Sequence, residues 1–135
     1  MVLAAALSAT AMAVAAALWW VRSRLLLVTI DGRSMEPSLH DGDRVLVWRT
    51  SAHRIRRGEI VIVAEPRSNF AAAQGGPGLT VKRVAACADG MVVLLGDNRA
   101  ESIDSRHYGP VPSDLILGRV RRLTTSRART LSSVE

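Results

Sequence analysis

From Val2 to Val21 the chain carries no charged position, reading VLAAALSATAMAVAAALWWV. As a helix this run spans about 30 Å, the depth of a bilayer's hydrocarbon core. Trp19 and Trp20 close it and Arg22 and Arg24 come next, an order suited to a membrane–water interface. Three readings compete: a membrane anchor, a cleavable signal peptide and a buried helix of a soluble protein. A signal peptide normally starts with basic residues and has a shorter apolar run. The pattern here has neither property, so residues 1–24 are read as an anchor.

Beyond Arg24 the pattern changes to short runs rich in Val, Ile and Leu. They cover Leu25 to Ile30, Arg44 to Trp48, Glu59 to Ala64, Leu79 to Ala86, Met91 to Leu95 and Leu115 to Leu123. Gly, Pro, Asp and Asn punctuate them, as they do strands. The sequence ADGM joins two of the runs and predicts a hairpin turn. No ten-residue stretch in this part repeats with a helical period. The pattern predicts a small all-β domain over residues 25–123, with a loop from Glu65 to Gly78 and a flexible tail from Thr124 to Glu135.

Composition narrows the function. Of 135 residues, about 100 remain for a folded core, enough for one domain with a thin stability margin. The formal charge of +6 invites a nucleic-acid partner. However, the arginines are scattered, aromatics are few and no recognition motif appears. Anionic lipid headgroups suit such a surface instead. The one cysteine, Cys87, excludes an internal disulfide and a cysteine-rich metal site.

Seventeen of the 18 basic residues are arginine, and Lys82 is the only lysine. Arginine stays charged in proteins, whereas a buried lysine can lose its proton and act as a base. The plain alternative is a lysine that survived by chance in an arginine-rich composition.

Three segments carry candidate chemistry. In GRSMEPSLHDGD, Ser34 lies on a turn after a strand, with Pro37 stiffening the far side of that turn. In TVKRV, strand alternation sends Lys82 to the face opposite Val81 and Arg83. From Gly96 to Pro112, GDNR, SIDSR and GPVP make a dense run of turn residues and paired charges. A serine needs a base to become a nucleophile. Lysine can serve only when neutral, and its ordinary pKa of about 10.4 must fall by roughly 2.5 to 3. Burial against apolar side chains can do this, and valines flank Lys82. No histidine–acid grouping and no metal-ligand spacing stand out.

Together, in this order and behind an anchor, the segments resemble the bacterial type I signal peptidases, which use a serine–lysine dyad. GRSMEPSLHDGDRVLV is similar to the family's nucleophile box, RRGEIVIV to its next strand, TVKRV to the box with the base, and GDNRAESIDSRHYGPVPSDLILGRV to its C-terminal box. The resemblance covers about 100 of the 135 residues. It implies that Ser34 attacks the scissile carbonyl, Lys82 is the base and the Ser34 N–H helps hold the oxyanion. It also implies that Ser102, Asp104 and Arg106 orient the lysine and hold the loop through a charged pair. Met35 and Gly32 would belong to the pocket for a small substrate side chain. Signal-peptide-bearing precursors would bind extended, by strand addition, with no cofactor and no metal.

The sequence departs from the family in three places. Gly32 stands where some members carry a serine that donates to the oxyanion. Only 13 residues separate Lys82 from Gly96, where a large insertion is common, so the chain is a near-minimal core. AACADG replaces the usual glycine and proline-glycine after the base box.

The resemblance places the domain on the extracytoplasmic side of the cell membrane behind a single span. Arg22 and Arg24, taken alone, favour the cytoplasmic side. Two weak arginines yield to four boxes in order. Other readings are a protease dedicated to one exported precursor, a self-cleaving repressor type and a non-catalytic membrane-tethered β module. The repressor type fits poorly, because the anchor is present and no DNA-binding domain is.

Overall fold

In the computed structural model, which describes residues 2–65 and 78–124, the apolar run is helix α1, Val2–Arg24. Alanine and leucine dominate it, and both are strong helix formers. From Ala6 to Arg24 every side chain is exposed, although most are apolar. The core helix of a soluble protein would bury such a surface. Thr10 and Ser23 return their hydroxyls to the helix's own carbonyls at Ala6 and Trp20, so neither presents an unmet donor to lipid. The Arg24 guanidinium lies 5.4 Å over the Trp20 ring.

The rest is the antiparallel sheet that the alternation predicted. The strands are β1 (Leu25–Thr29), β2 (Arg44–Arg49), β3 (Ile60–Glu65), β4 (Gly78–Ala88), β5 (Met91–Leu95), β6 (Val111–Pro112) and β7 (Ile116–Thr124). Their order is β1-β2-β7-β3-β4-β5-β6. Strand β7, the last in sequence, thus sits in the middle. Thr124 ends β7 instead of opening a tail, and residues 125–135 and 66–77 lie outside the described residues. The expected tail and most of the expected loop therefore fall there. One short helix, α2 (Ser105–Tyr108), interrupts the predicted all-strand pattern. At four residues it is too short to leave a helical period.

Alternation along the strands feeds two cores on opposite faces. Val61 and Val63 join Ile55, Val84, Val92, Leu94 and Ile116. Ile62, between them, packs instead with Ile30, Met35, Leu39, Val45 and Val47. Fully burying each such side chain stabilises the fold by about 1.5–3 kcal/mol.

The hairpin between β4 and β5 turns on Asp89 and Gly90, with φ of 51° and 74°. Two positive φ values define the turn whose twist matches the flanking strands. A register shift between Val84 and Ala86 accommodates the unusual AACADG. At Gly118 on β7, a Cβ would lie 2.5 Å from the Trp48 carbonyl oxygen, so only glycine lets β7 close on β2.

Candidate active site

Ser34 lies in the loop from Asp31 to Asp43, which leaves β1 and returns to β2. Two backbone bonds pinch its neck: Ile30 N–H to the Asp43 carbonyl and Gly42 N–H to the Ile30 carbonyl, both 2.8 Å. The buried Asp43 carboxylate accepts from the His40 N–H at 2.9 Å. Gly32, at φ +94°, donates its N–H to Asp41 at 2.8 Å. Beneath the loop, Met35 and Leu39 are 1% and 2% exposed in the second core. The half-buried Ser34 is therefore carried on a loop that is tied at its neck and nailed down on either side of Pro37.

Met35, expected in the substrate pocket, follows Ser34 directly and packs in the second core. Gly32 is exposed beside Ser34 and offers no side chain.

Lys82 is 4% exposed on β4. It pairs in register with Val61 and alternates with Val84, so it enters the first core while Arg83 turns the other way. Its ammonium donates to Ser102 Oγ at 3.1 Å, and that hydroxyl donates onward to Asp104 Oδ2 at 2.8 Å. Ser102 has one proton to give. Giving it to Asp104 presents lone pairs to Lys82, which fixes the direction of one Lys82 N–H.

Asp104 is wholly buried and caps α2. Its carboxylate also accepts from the Gly96 N–H at 2.8 Å, the Arg106 N–H at 3.1 Å, Arg106 Nε at 2.9 Å and Arg106 Nη2. Burial is the largest single influence on this carboxyl and pushes its pKa up. The Arg106 side chain, the two backbone donors and Ser102 together outweigh burial and hold it well below the usual carboxylate range. Arg106 is raised in turn, chiefly by its bond to Asp104. His107 completes the cap by accepting the Asp104 N–H at 3.3 Å.

Gly96 is the point where the two halves meet. A Cβ there would overlap the Ser102 side chain and lie 2.8 Å from the Ser34 carbonyl oxygen. That carbonyl accepts the Asn98 N–H at 2.9 Å. The structure thus brings Lys82, Ser102, Asp104 and Arg106 into one chain of hydrogen bonds, with the Ser34 backbone against the same glycine.

A second cluster was not foreseen from the sequence. Arg83, next to Lys82, grips Asp97 with Nε to Oδ1 at 2.8 Å and Nη2 to Oδ2 at 2.6 Å. It also donates to the Gly58 carbonyl at 2.7 Å and to Ser38 Oγ at 3.1 Å, while Ser38 donates to Asp97. The Arg83 bond, with help from Ser38, lowers the Asp97 pKa against its partial burial. This fork ties the Ser34 loop, the Lys82 strand and the Gly96 turn together. The available signals were the alternation that sends Arg83 away from Lys82 and the acid in GDNR.

A buried lysine held by a hydroxyl and a half-buried serine on a braced loop thus come from separate strands to the same glycine turn. Residues 3–89 and 87–124 match the family described as signal peptidase, peptidase S26, and the chain belongs to that family. It is 37% identical over 109 residues to mitochondrial inner membrane protease subunit 1 of Mus musculus and 38% identical over 109 residues to that of Homo sapiens, in each case over 70% of this chain and 66% of the relative. It is also 31% identical over 116 residues to mitochondrial inner membrane protease subunit 2 of Schizosaccharomyces pombe, over 68% of this chain and 60% of the relative. The chain thus spans 66% of the length of the mouse and human proteins.

Proposed function

We propose that this chain is a membrane-anchored serine endopeptidase that removes signal or leader peptides from exported precursors, cutting after small residues. Ser34 Oγ attacks the scissile carbonyl as Lys82 Nζ takes its proton. The oxyanion rests against the Ser34 N–H, and Lys82 returns the proton to the leaving amine. Water then hydrolyses the acyl-enzyme by the same route in reverse. Ser102 holds the lysine, and Asp104 with Arg106 holds Ser102. The precursor lies extended along the edge strand β1, which leads directly into the Ser34 loop. Helix α1 anchors the domain on the extracytoplasmic side of the cell membrane.

One observation carries this reading: the chain's only lysine is buried at 4% exposure in a valine-lined core, against a hydroxyl. Burial is the condition under which lysine becomes a base near neutrality. Meanwhile the nearby carboxylate Asp104 is already compensated by Arg106 and Gly96. A narrower role, dedicated to one precursor, is favoured by the short link from Lys82 to Gly96, which leaves little room for an accessory domain.

The purified protein in detergent should cleave a peptide with alanine one and three positions before the cut, and Ser34→Ala should not. Absence of turnover by the wild-type protein on peptide and on anchored precursors would leave a non-catalytic module.

A further inference from the structure

The edge of the sheet next to α1 carries a second constellation. Register places Leu25 opposite Trp48 and Trp48 opposite Arg119, then Leu27 opposite Leu46 and Leu46 opposite Arg121. Opposed residues share a face, so this face runs from leucines through Trp48 to two arginines. The alternate residues Val45 and Val47 fill the core behind it. Leu27 and Trp48 are 49% and 36% exposed.

On this face lies a cleft of about 270 Å³ lined by Trp48, Thr50, Arg54, Arg119 and Arg121. Among the described residues its lining holds three guanidinium groups and no carboxylate. Arg119 is braced by Glu59 at 3.0 Å and by the Arg54 carbonyl at 2.9 Å. Its Nε is buried without an acceptor among the described residues. Arg54 and Arg121 are exposed and complete the charge.

The cleft's distance from the membrane is set by chain continuity. Helix α1 ends at Arg24 and β1 begins at Leu25, with no linker between them. Trp48 is one strand from Leu25 and Arg119 two, so the cleft lies on the order of 10 Å from where the helix ends. That is about one Debye length, within which a cation feels an anionic bilayer surface. Trp19 and Trp20 come five and four residues before the end of α1, and Trp48 pairs with Leu25, the first residue after it.

We propose that this cleft binds the phosphate headgroup of an anionic phospholipid in the membrane that α1 spans, with Trp48 and Leu27 at the lipid boundary. The inference rests on the anchor reading of α1 and is independent of the serine–lysine assignment. Cations beside an apolar strip match a headgroup joined to its acyl chains. A free phosphate would match only the cations. Bound headgroups would hold the sheet edge beside β1 against the bilayer, where an anchored precursor emerges.

The test uses the full chain with Trp19→Phe and Trp20→Phe, leaving Trp48 as the sole tryptophan. The protein is reconstituted in phosphatidylcholine vesicles with increasing fractions of phosphatidylglycerol and a brominated quencher lipid. Trp48 should be quenched only when phosphatidylglycerol is present. The fraction needed for half quenching should rise about fivefold for each cation removed in Arg54→Gln and Arg121→Gln. Equal quenching in phosphatidylcholine alone, or no effect of either variant, would overturn the proposal. A matching shift of Trp48 emission with soluble glycerophosphate and no vesicles would also overturn it, by assigning a free-anion site. Flotation with phosphatidylcholine vesicles reports anchoring separately: protein that floats but ignores phosphatidylglycerol refutes the cleft alone, and protein that does not float refutes the anchor with it.

Discussion

Two aspartate–arginine pairs flank the Lys82 strand, Asp104–Arg106 and Asp97–Arg83. In both, a guanidinium forks onto a carboxylate. Their surroundings differ. The Asp104 carboxylate is 0% exposed, takes two backbone N–H groups besides, and reaches Lys82 through one hydroxyl. The Asp97 carboxylate is 16% exposed and its arginine 36%; they share Ser38, and the arginine alone also donates to the Gly58 carbonyl. The same chemistry thus serves two ends. One pair sits in the interior and sets the direction of a hydrogen-bond chain. The other lies near the surface and staples three segments together. Burial decides how much each matters, because a buried charge stripped of its partner cannot recover its hydration.

Asp104→Ala should therefore have the largest effect on folding. It strands Ser102, Gly96 and Arg106 at once, and should cost about 3 to 5 kcal/mol in denaturant unfolding. A loss no larger than that of Asp97→Ala would erase the distinction between the pairs. Ser102→Ala should cost only about 1 kcal/mol of stability yet lower kcat about a hundredfold, because the lysine loses its orienting acceptor. Ser102→Thr, which keeps the hydroxyl, should restore part of the rate. A purely structural role would move stability and rate together. Asp97→Asn should cost about 1 kcal/mol, as half-exposed ion pairs do, and should leave the pH–rate profile in place.

Acid sensitivity follows from the same two carboxylates. Asp104 and Asp97 both have folded-state pKa values below the unfolded value of about 3.9. Proton release therefore favours the folded state, so their stabilisation is full above about pH 4 and lost as pH falls through the folded values. Unfolding midpoints measured from neutral to strongly acidic pH should drop below pH 4, and Asp104→Asn should flatten that drop more than Asp97→Asn.

Much of this was legible in the sequence, for local reasons. An uncharged apolar run of bilayer length signals α1, and Val, Ile and Leu between glycines and acids signal each strand. The Asp89–Gly90 turn reads directly because few residue pairs accept two positive φ values. Strand order was not legible. β7 enters between β2 and β3, and nothing within nine residues of strand states which neighbours they choose. Nor was the Ser38–Asp97–Arg83 fork, whose members come from three separate segments. Met35, given to the pocket by the resemblance, also packs in the core beneath the Ser34 loop, a contact the sequence pattern did not announce. His107 was set aside because it lies in a polar, turn-like stretch, and there its ring accepts the Asp104 N–H.

The central claim is that Lys82 is the base for Ser34. The direct measurement is cleavage of a co-expressed exported precursor by wild type and Lys82→Arg, with membrane insertion and folding checked for both. The substitution keeps the charge and most of the bulk but removes a group able to lose its proton. The account predicts an inserted, folded variant that cleaves nothing. Cleavage by Lys82→Arg would make Lys82 a structural cation and contradict the mechanism.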